Sequence, residues 1–110
     1  MEIDSVGAIG EEVELLNINV KDIEFGDRAR KQYSGLQTLV DDFKKQGVIS
    51  PIAVMRQAAP IPFLLLAGGR RYSAAVFGKM SSMPARVYPA GLSSLQQREI
   101  ELAENMKDFR

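Results

Sequence analysis

The chain has 110 residues, 45% hydrophobic and 25% charged, which is enough for one compact domain with a modest core and too few for two. Lysine plus arginine and aspartate plus glutamate number 14 each, so the chain lacks the broad basic excess of a protein that grips DNA through many phosphates. It contains no cysteine and no histidine, which excludes disulfides, the usual zinc sites and any mechanism that needs a thiolate or an imidazole base.

The sequence predicts two parts, a flexible N-terminal arm over residues 1–12 and a single domain over residues 13–110. The arm carries two glycines, and its acidic start, Met1-Glu2-Ile3-Asp4, is unlike a signal peptide. No window is apolar over the length that spans a bilayer, so we expect a cytoplasmic protein without membrane contact. The pattern near residues 13–18 predicts a strand, and residues 20–23 predict a single helical turn.

A helix and a hairpin are predicted next, after a basic loop over residues 26–31. Ser34 and Gln37 have the spacing of a capping box, and Gly47 supplies a left-handed stop, so the sequence predicts a helix over 35–46. The apolar positions of this helix recur with helical spacing at Leu36, Leu39, Val40 and Phe43. Residues 49–55 predict a strand, and a turn with two prolines over 57–62 returns the chain into an antiparallel partner over 63–67.

Two glycines and two arginines, Gly68-Gly69-Arg70-Arg71, follow this second strand, where a helix over 70–77 should begin. Glycine lets backbone N–H groups approach an anion, the first helical turn offers unpaired donors, and arginine adds charge-assisted hydrogen bonds. Cations at a helix start interact unfavourably with the helix dipole and destabilise the helix by up to about 1 kcal/mol. A bound anion would therefore account for the two arginines at this position. The run predicts a phosphate site. The alternative is a tight turn with two solvated arginines.

The remaining pattern predicts a strand over 83–88 and a last helix over 93–107. Gly78 closes the preceding helix, in which Tyr72 and Phe77 are expected in the core. Ser93 and Gln96 repeat the capping-box spacing, and the apolar face of the last helix is predicted from Leu95, Leu102, Ala103 and Met106. The elements together predict an α+β fold, a small mixed sheet with three main helices.

Three motifs in this order resemble the N-terminal domain of the ParB family, whose fold sulfiredoxin shares. The run Gly47-Val48-Ile49-Ser50-Pro51-Ile52 is similar to the family's G-[LIV]-[IL]-x-P-[IL] segment. The run Ala67-Gly68-Gly69-Arg70-Arg71-Tyr72-Ser73-Ala74 is similar to its A-G-E-R-R-x-R-A box, and Ala103-Glu104-Asn105 is similar to the start of its E-N-x-x-R motif. The resemblance covers residues 15–105.

The resemblance implies a site for CTP with Mg²⁺. Its phosphates would contact Gly68, Arg70 and Arg71, with Gly69 in the same loop, and Glu104 and Asn105 would be the magnesium ligands or their water-bridged neighbours. The nucleobase would be bordered by Gly47, Ser50 and Pro51, and an arginine that the family places before its first long helix falls at Arg28 or Arg30.

The resemblance also implies a role as a nucleotide-dependent switch in chromosome or plasmid partition. We expect a homodimer when nucleotide is bound, and DNA contacts through a helix-turn-helix that lies beyond Arg110. The motifs depart from the family at three positions: Gly69 stands for glutamate, Ser73 for arginine, and Asp108 for the last arginine of E-N-x-x-R. These departures leave CTP hydrolysis open.

Alternatives of other classes remain open. Relatives have been described as ParB-like nucleases, for which Glu104, Asp41, Asp42 and Asp108 are the candidate metal ligands. A small-molecule phosphotransferase of the same fold is a second enzymatic alternative, and a domain that only mediates protein contacts is the non-catalytic one. Sulfiredoxin chemistry is excluded because it depends on a cysteine, which the chain lacks.

Overall fold

A computed structural model describes residues 12–25, 34–46 and 50–108, with side chains described as far as Glu104. The predicted arm over 1–12 lies almost wholly outside these ranges. Within them the chain forms one five-stranded mixed sheet and three α-helices, which confirms the predicted α+β fold and adds one strand, β2 (Ile23–Glu24), that the sequence did not predict. The strands are β1 (Glu14–Asn19), β2 (Ile23–Glu24), β3 (Ile52–Arg56), β4 (Phe63–Ala67) and β5 (Ser82–Tyr88), and the helices are α1 (Leu36–Gln46), α2 (Gly69–Phe77) and α3 (Ser94–Asp108).

The sheet is mixed, with the strand order β1-β5-β3-β4-β2. Strands β3 and β4 form the predicted antiparallel hairpin, and the Gln57 N–H closes its turn by donating to the Pro62 carbonyl at 2.9 Å. Strand β5 pairs antiparallel with β1 and parallel with β3, while β2 pairs parallel with β4. Since Ala53 lies opposite Ala67, the entrance to β3 lies beside the exit from β4.

The helices cover both faces of the sheet. Successive residues of a strand point to opposite faces, so Ile52 and Val54 of β3 pack on the side that holds Ala75 of α2. Helix α1 packs on α2 on that side, with its buried residues Val40 and Phe43 in one cluster with Ala74. The other face, with Ala53, Met55, Leu66 and Ala67, is covered by Ile100 of α3.

The predicted apolar face of α3 is wrong at Leu95, Leu102 and Ala103, and Met106 lies outside the described side chains. Leu95 and Leu102 are 59% and 58% exposed and Ala103 is also exposed, whereas Ile100 is 1% and Glu104 only 4% exposed. The hydrophobic pattern missed this face because one of the two residues that are buried in the described part of α3 is a carboxylate, which needs partners that lie far away in the sequence. The start of the helix follows the prediction.

The capping box at the start of α3 is confirmed. The Ser93 N–H donates to Oε1 of Gln96 at 2.9 Å, and the Gln96 N–H donates to Oγ of Ser93 at 3.1 Å. In α2, Tyr72 packs on the core as expected, with its ring centroid 5.3 Å from that of Phe25, but Phe77 is exposed. None of the helices in the described part of the chain has both the length and the apolar character needed to cross a bilayer.

Candidate functional site

Gly68 alone joins β4 to α2. Its backbone has φ 98° and ψ 30°, the left-handed conformation that favours glycine. A Cβ there would lie 2.7 Å from Cγ2 of Ile52, so the turn also needs glycine for space. Because the N-cap residue is glycine, no capping side chain accepts a hydrogen bond from the first-turn N–H groups of α2, and that first turn has no acidic residue. These features fit an anion-binding helix start.

Arg70 connects this helix start to a second one. The Arg70 side chain is exposed, and its Nη2 lies 3.2 Å from where a Cβ on Gly35 would stand. Gly35 directly precedes α1, and the first turn of α1 has no acidic residue either. No ion pair joins Arg70 to a carboxylate of the described residues. The positive ends of two helix dipoles therefore lie near one guanidinium group, which favours a bound anion.

Arg71 has a different environment from Arg70. It is half-buried, and its Nη1 donates a hydrogen bond to the Pro51 carbonyl at 2.9 Å. Its Nη2 lies 3.3 Å from the position that a Cβ on Gly68 would take. The side chain thus links the first turn of α2 to the residue before β3. Its role as a phosphate contact stays a prediction.

The structure brings two parts of the predicted nucleotide site together. Ser50 is exposed and Pro51 half-buried immediately before β3, where Arg71 donates to the Pro51 carbonyl and Ile52 packs against Gly68. Glu104 belongs to α3, which covers the sheet face opposite to that of α2. Gly47, Arg28 and Arg30 lie outside the described residues. Sequence reasoning missed Gly35, although a glycine inside the Ser34–Gln37 pattern, directly before a helix, was the available signal.

Glu104, a predicted metal ligand, lies on α3 beside Arg86 and Tyr88. Its Oε2 is 3.8 Å from Nε of Arg86 and accepts a hydrogen bond from the Tyr88 hydroxyl at 3.4 Å. Burial raises the pKa of the Tyr88 phenol, and the negative charge of Glu104 raises it further. The Asn105 side chain is not described. The described residues contain no group of three or more acidic side chains that could hold a metal, and the side chain of the candidate ligand Asp108 lies outside them.

Comparison with known proteins gives one family and several solved structures of similar fold. A sequence model of the ParB N-terminal domain matches residues 5–106. The C-terminally truncated chromosome-partitioning protein ParB from Caulobacter crescentus, complexed with CTP-gamma-S, is 23% identical with a TM-score of 0.70, over 86% of this chain and 53% of that one. The same protein complexed to the centromeric parS site is 21% identical with a TM-score of 0.60, over 86% and 48%.

Sulfiredoxin from Arabidopsis thaliana is 17% identical with a TM-score of 0.57, over 67% of this chain and 83% of that one. The TM-scores, which are all above 0.5, show that the chain shares its fold with these proteins. The chain spans about half the length of the ParB chains that it matches. No curated protein sequence matches it.

Proposed function

We propose that this chain, which belongs to the ParB N-terminal domain family, is the nucleotide-binding switch of a DNA-partition protein. Its ligand is a nucleoside triphosphate, CTP with Mg²⁺. The observation that carries the proposal is the exposed Arg70 guanidinium, which extends from the start of α2 to the start of α1 at Gly35. Support also comes from the similar fold of a ParB that was crystallised with CTP-gamma-S.

The phosphates are assigned to the Gly68–Gly69 turn and Arg70, and the base to the neighbouring Ser50 and Pro51. Mg²⁺ prefers a few carboxylate or amide oxygens together with phosphate and water. Glu104 already faces Arg86, so it fits this role only if it exchanges that partner for the metal. We therefore assign most of the magnesium ligands to the phosphates and water, with Glu104 and Asn105 as the protein contribution.

Binding by this domain alone should be weak. Charge-assisted hydrogen bonds contribute about 1.5–3 kcal/mol each and a helix start up to about 2 kcal/mol, whereas association costs at least about 4 kcal/mol. The phosphate contacts therefore leave little net affinity. The base, Mg²⁺ and a second subunit must add the rest, which is consistent with a homodimer that forms when nucleotide is bound.

In this proposal, nucleotide binding operates the switch, and hydrolysis of the nucleotide is secondary. Gly69 removes a carboxylate and Ser73 a cation from the family's box, so we expect hydrolysis to be slow. We further propose that the protein acts in the cytoplasm and contacts DNA through a region outside this sequence. The parS complex of the Caulobacter protein supports a DNA partner.

Isothermal titration with CTP, UTP, GTP and ATP in the presence of Mg²⁺ tests the proposal. We expect heat of binding with CTP, and a loss of about tenfold or more in affinity for Arg70→Gln, which is about 1.4 kcal/mol. Arg98→Gln is the matched control, because Arg98 is an exposed arginine on α3 and should leave binding unchanged. If no nucleotide gives heat with a chain that includes the downstream region, the proposed function is wrong.

A further inference from the structure

We infer that Arg86 is a positioning residue, which holds the Glu104 carboxylate against β5 in the nucleotide-free protein and so limits how far Mg²⁺ strengthens nucleotide binding. The inference deepens the proposed function and rests on it for its metal part. Arg86 lies in none of the three motifs that carry the resemblance to the family.

Glu104 is a buried carboxylate with a counterion from the sheet. It is 4% exposed, and its Oε2 lies 3.8 Å from Nε of Arg86, whose side chain is 32% exposed. A buried carboxylate without an opposite charge is strongly disfavoured, so Arg86 compensates the charge of Glu104. The distance is too long for a hydrogen bond. Charge attraction therefore holds the pair, and another cation can take the place of the arginine.

This ion pair belongs to the end of the sheet where the phosphate turn begins. Arg86 of β5 is paired with Ala53 of β3, and Ala53 with Ala67 of β4. Neighbouring strands are about 4.8 Å apart, so about 10 Å separate the backbones of Arg86 and Ala67. Ala67 directly precedes Gly68, and it packs on the sheet face that α3 covers. The Glu104 carboxylate is thus placed near the turn, although α2 and α3 lie on opposite faces.

Arg86 competes with any cation for this carboxylate. A cation that binds Glu104 meets the positive charge of the guanidinium group, and like charges repel each other. Arg86 must therefore move away from Glu104 before the carboxylate can act as a metal ligand. Loss of the Arg86 charge removes this competition, so the same carboxylate should then bind Mg²⁺ more readily.

Isothermal titration with the best-bound nucleoside triphosphate, once with Mg²⁺ and once with EDTA, tests the inference. We expect Arg86→Gln to increase the factor by which Mg²⁺ strengthens binding by about threefold or more, and to leave the affinity in EDTA within about twofold. Arg86→Lys keeps the positive charge and should remain close to the wild type.

Arg56→Gln is the matched control for these titrations. Arg56 also lies in a strand and pairs with a glutamate, Glu14, but it belongs to the opposite end of β3 and should leave both affinities unchanged. If Arg86→Gln weakens binding equally with and without Mg²⁺, Arg86 contacts the ligand and the inference is wrong. An unchanged effect of Mg²⁺ in Arg86→Gln would also overturn it, because Arg86 would then not compete for Glu104.

Hydrogen exchange in the nucleotide-free protein tests the contact without a ligand. We expect the amides of residues 101–104 to exchange about threefold faster in Arg86→Gln than in Arg56→Gln, because Glu104 loses the counterion that keeps it at the sheet. Equal exchange in the two variants would overturn the inference whatever the nucleotide results. If the wild-type protein binds no nucleotide, the proposed function fails, and the exchange rates alone then decide whether Arg86 holds Glu104.

Discussion

Gly68 and Gly91 have similar left-handed backbones but differ in the space around them. Their φ angles are 98° and 85°, and a Cβ at Gly68 would lie 2.7 Å from Cγ2 of Ile52, whereas one at Gly91 would meet nothing within 4 Å. Gly91→Ala should therefore lower the free energy of unfolding by the conformational cost alone, about 1–2 kcal/mol. Gly68→Ala should lose about 1–3 kcal/mol more, because Ile52 must move.

Urea denaturation of both variants measures this difference. Equal losses in the free energy of unfolding would mean that Ile52 can move without destabilising the fold and that Gly68 is required only for its backbone conformation. The comparison matters for the site, because the close approach of Gly68 to Ile52 sets the distance between the phosphate turn and the entrance to β3.

The Tyr88 phenol carries a pH dependence that its surroundings define. Burial raises its pKa above 10.0, the Glu104 carboxylate raises it further, and Arg86 offsets part of the shift. The native state holds this proton more tightly than the unfolded chain. The resulting stability is fully present below the unfolded pKa of 10.0 and is lost as the pH rises through the folded value.

Phenolate absorbance during an alkaline titration checks this assignment. Glu104→Gln should move the Tyr88 transition towards lower pH, because it removes a negative charge beside the phenol. The chain has three tyrosines, so the same titration in Tyr88→Phe identifies the Tyr88 transition. Tyr72→Phe identifies that of Tyr72, whose pKa is raised by burial. An unchanged transition in Glu104→Gln would show that the carboxylate does not act on Tyr88 in solution.

At the scale of elements, Ile100 is the buried apolar side chain through which the described part of α3 docks on the sheet. Ile100 is 1% exposed and lies in one cluster with Met55 and Leu66, whereas Leu102 is 58% exposed. Ile100→Ala should lower the free energy of unfolding by about 2–5 kcal/mol, and Leu102→Ala should change it by no more than about 0.5 kcal/mol. Thermal or urea unfolding of the two variants gives the comparison. A larger loss of stability in Leu102→Ala than in Ile100→Ala would instead support the apolar face that the sequence predicts.

The elements differ in how far the sequence could predict them. The α1 helix, the β3–β4 hairpin and the capped start of α3 follow from local spacing, because their signals lie within a few residues of one another. Strand β2 has only two residues and leaves no period to detect. The buried face of α3 depends on Arg86 and Tyr88, which local spacing does not connect to Glu104.

At the scale of the whole molecule, the candidate site depends on the order of the strands. The glycine–arginine run was predicted from its chemistry, and its neighbour Pro51 from the resemblance to a family. Their contact arises because β3 and β4 are hairpin partners, so the start of one strand adjoins the end of the other. The approach of Arg70 to Gly35 depends on the packing of α1 on α2, which no spacing in the sequence specifies.

The charge balance of the whole chain leads to a prediction about DNA. Since the charges of 14 basic and 14 acidic residues cancel, the chain would release few counterions from a duplex. The Kd for non-specific DNA should therefore be above about 10⁻⁴ M and depend little on salt. Fluorescence anisotropy with a random-sequence duplex at about 50 and 200 mM salt measures this. A longer chain that carries the proposed DNA-contacting region should bind more tightly and with a steep salt dependence. Micromolar binding by this chain alone would contradict the prediction, and its loss in Arg70→Gln would show that the anion site itself contacts DNA phosphates.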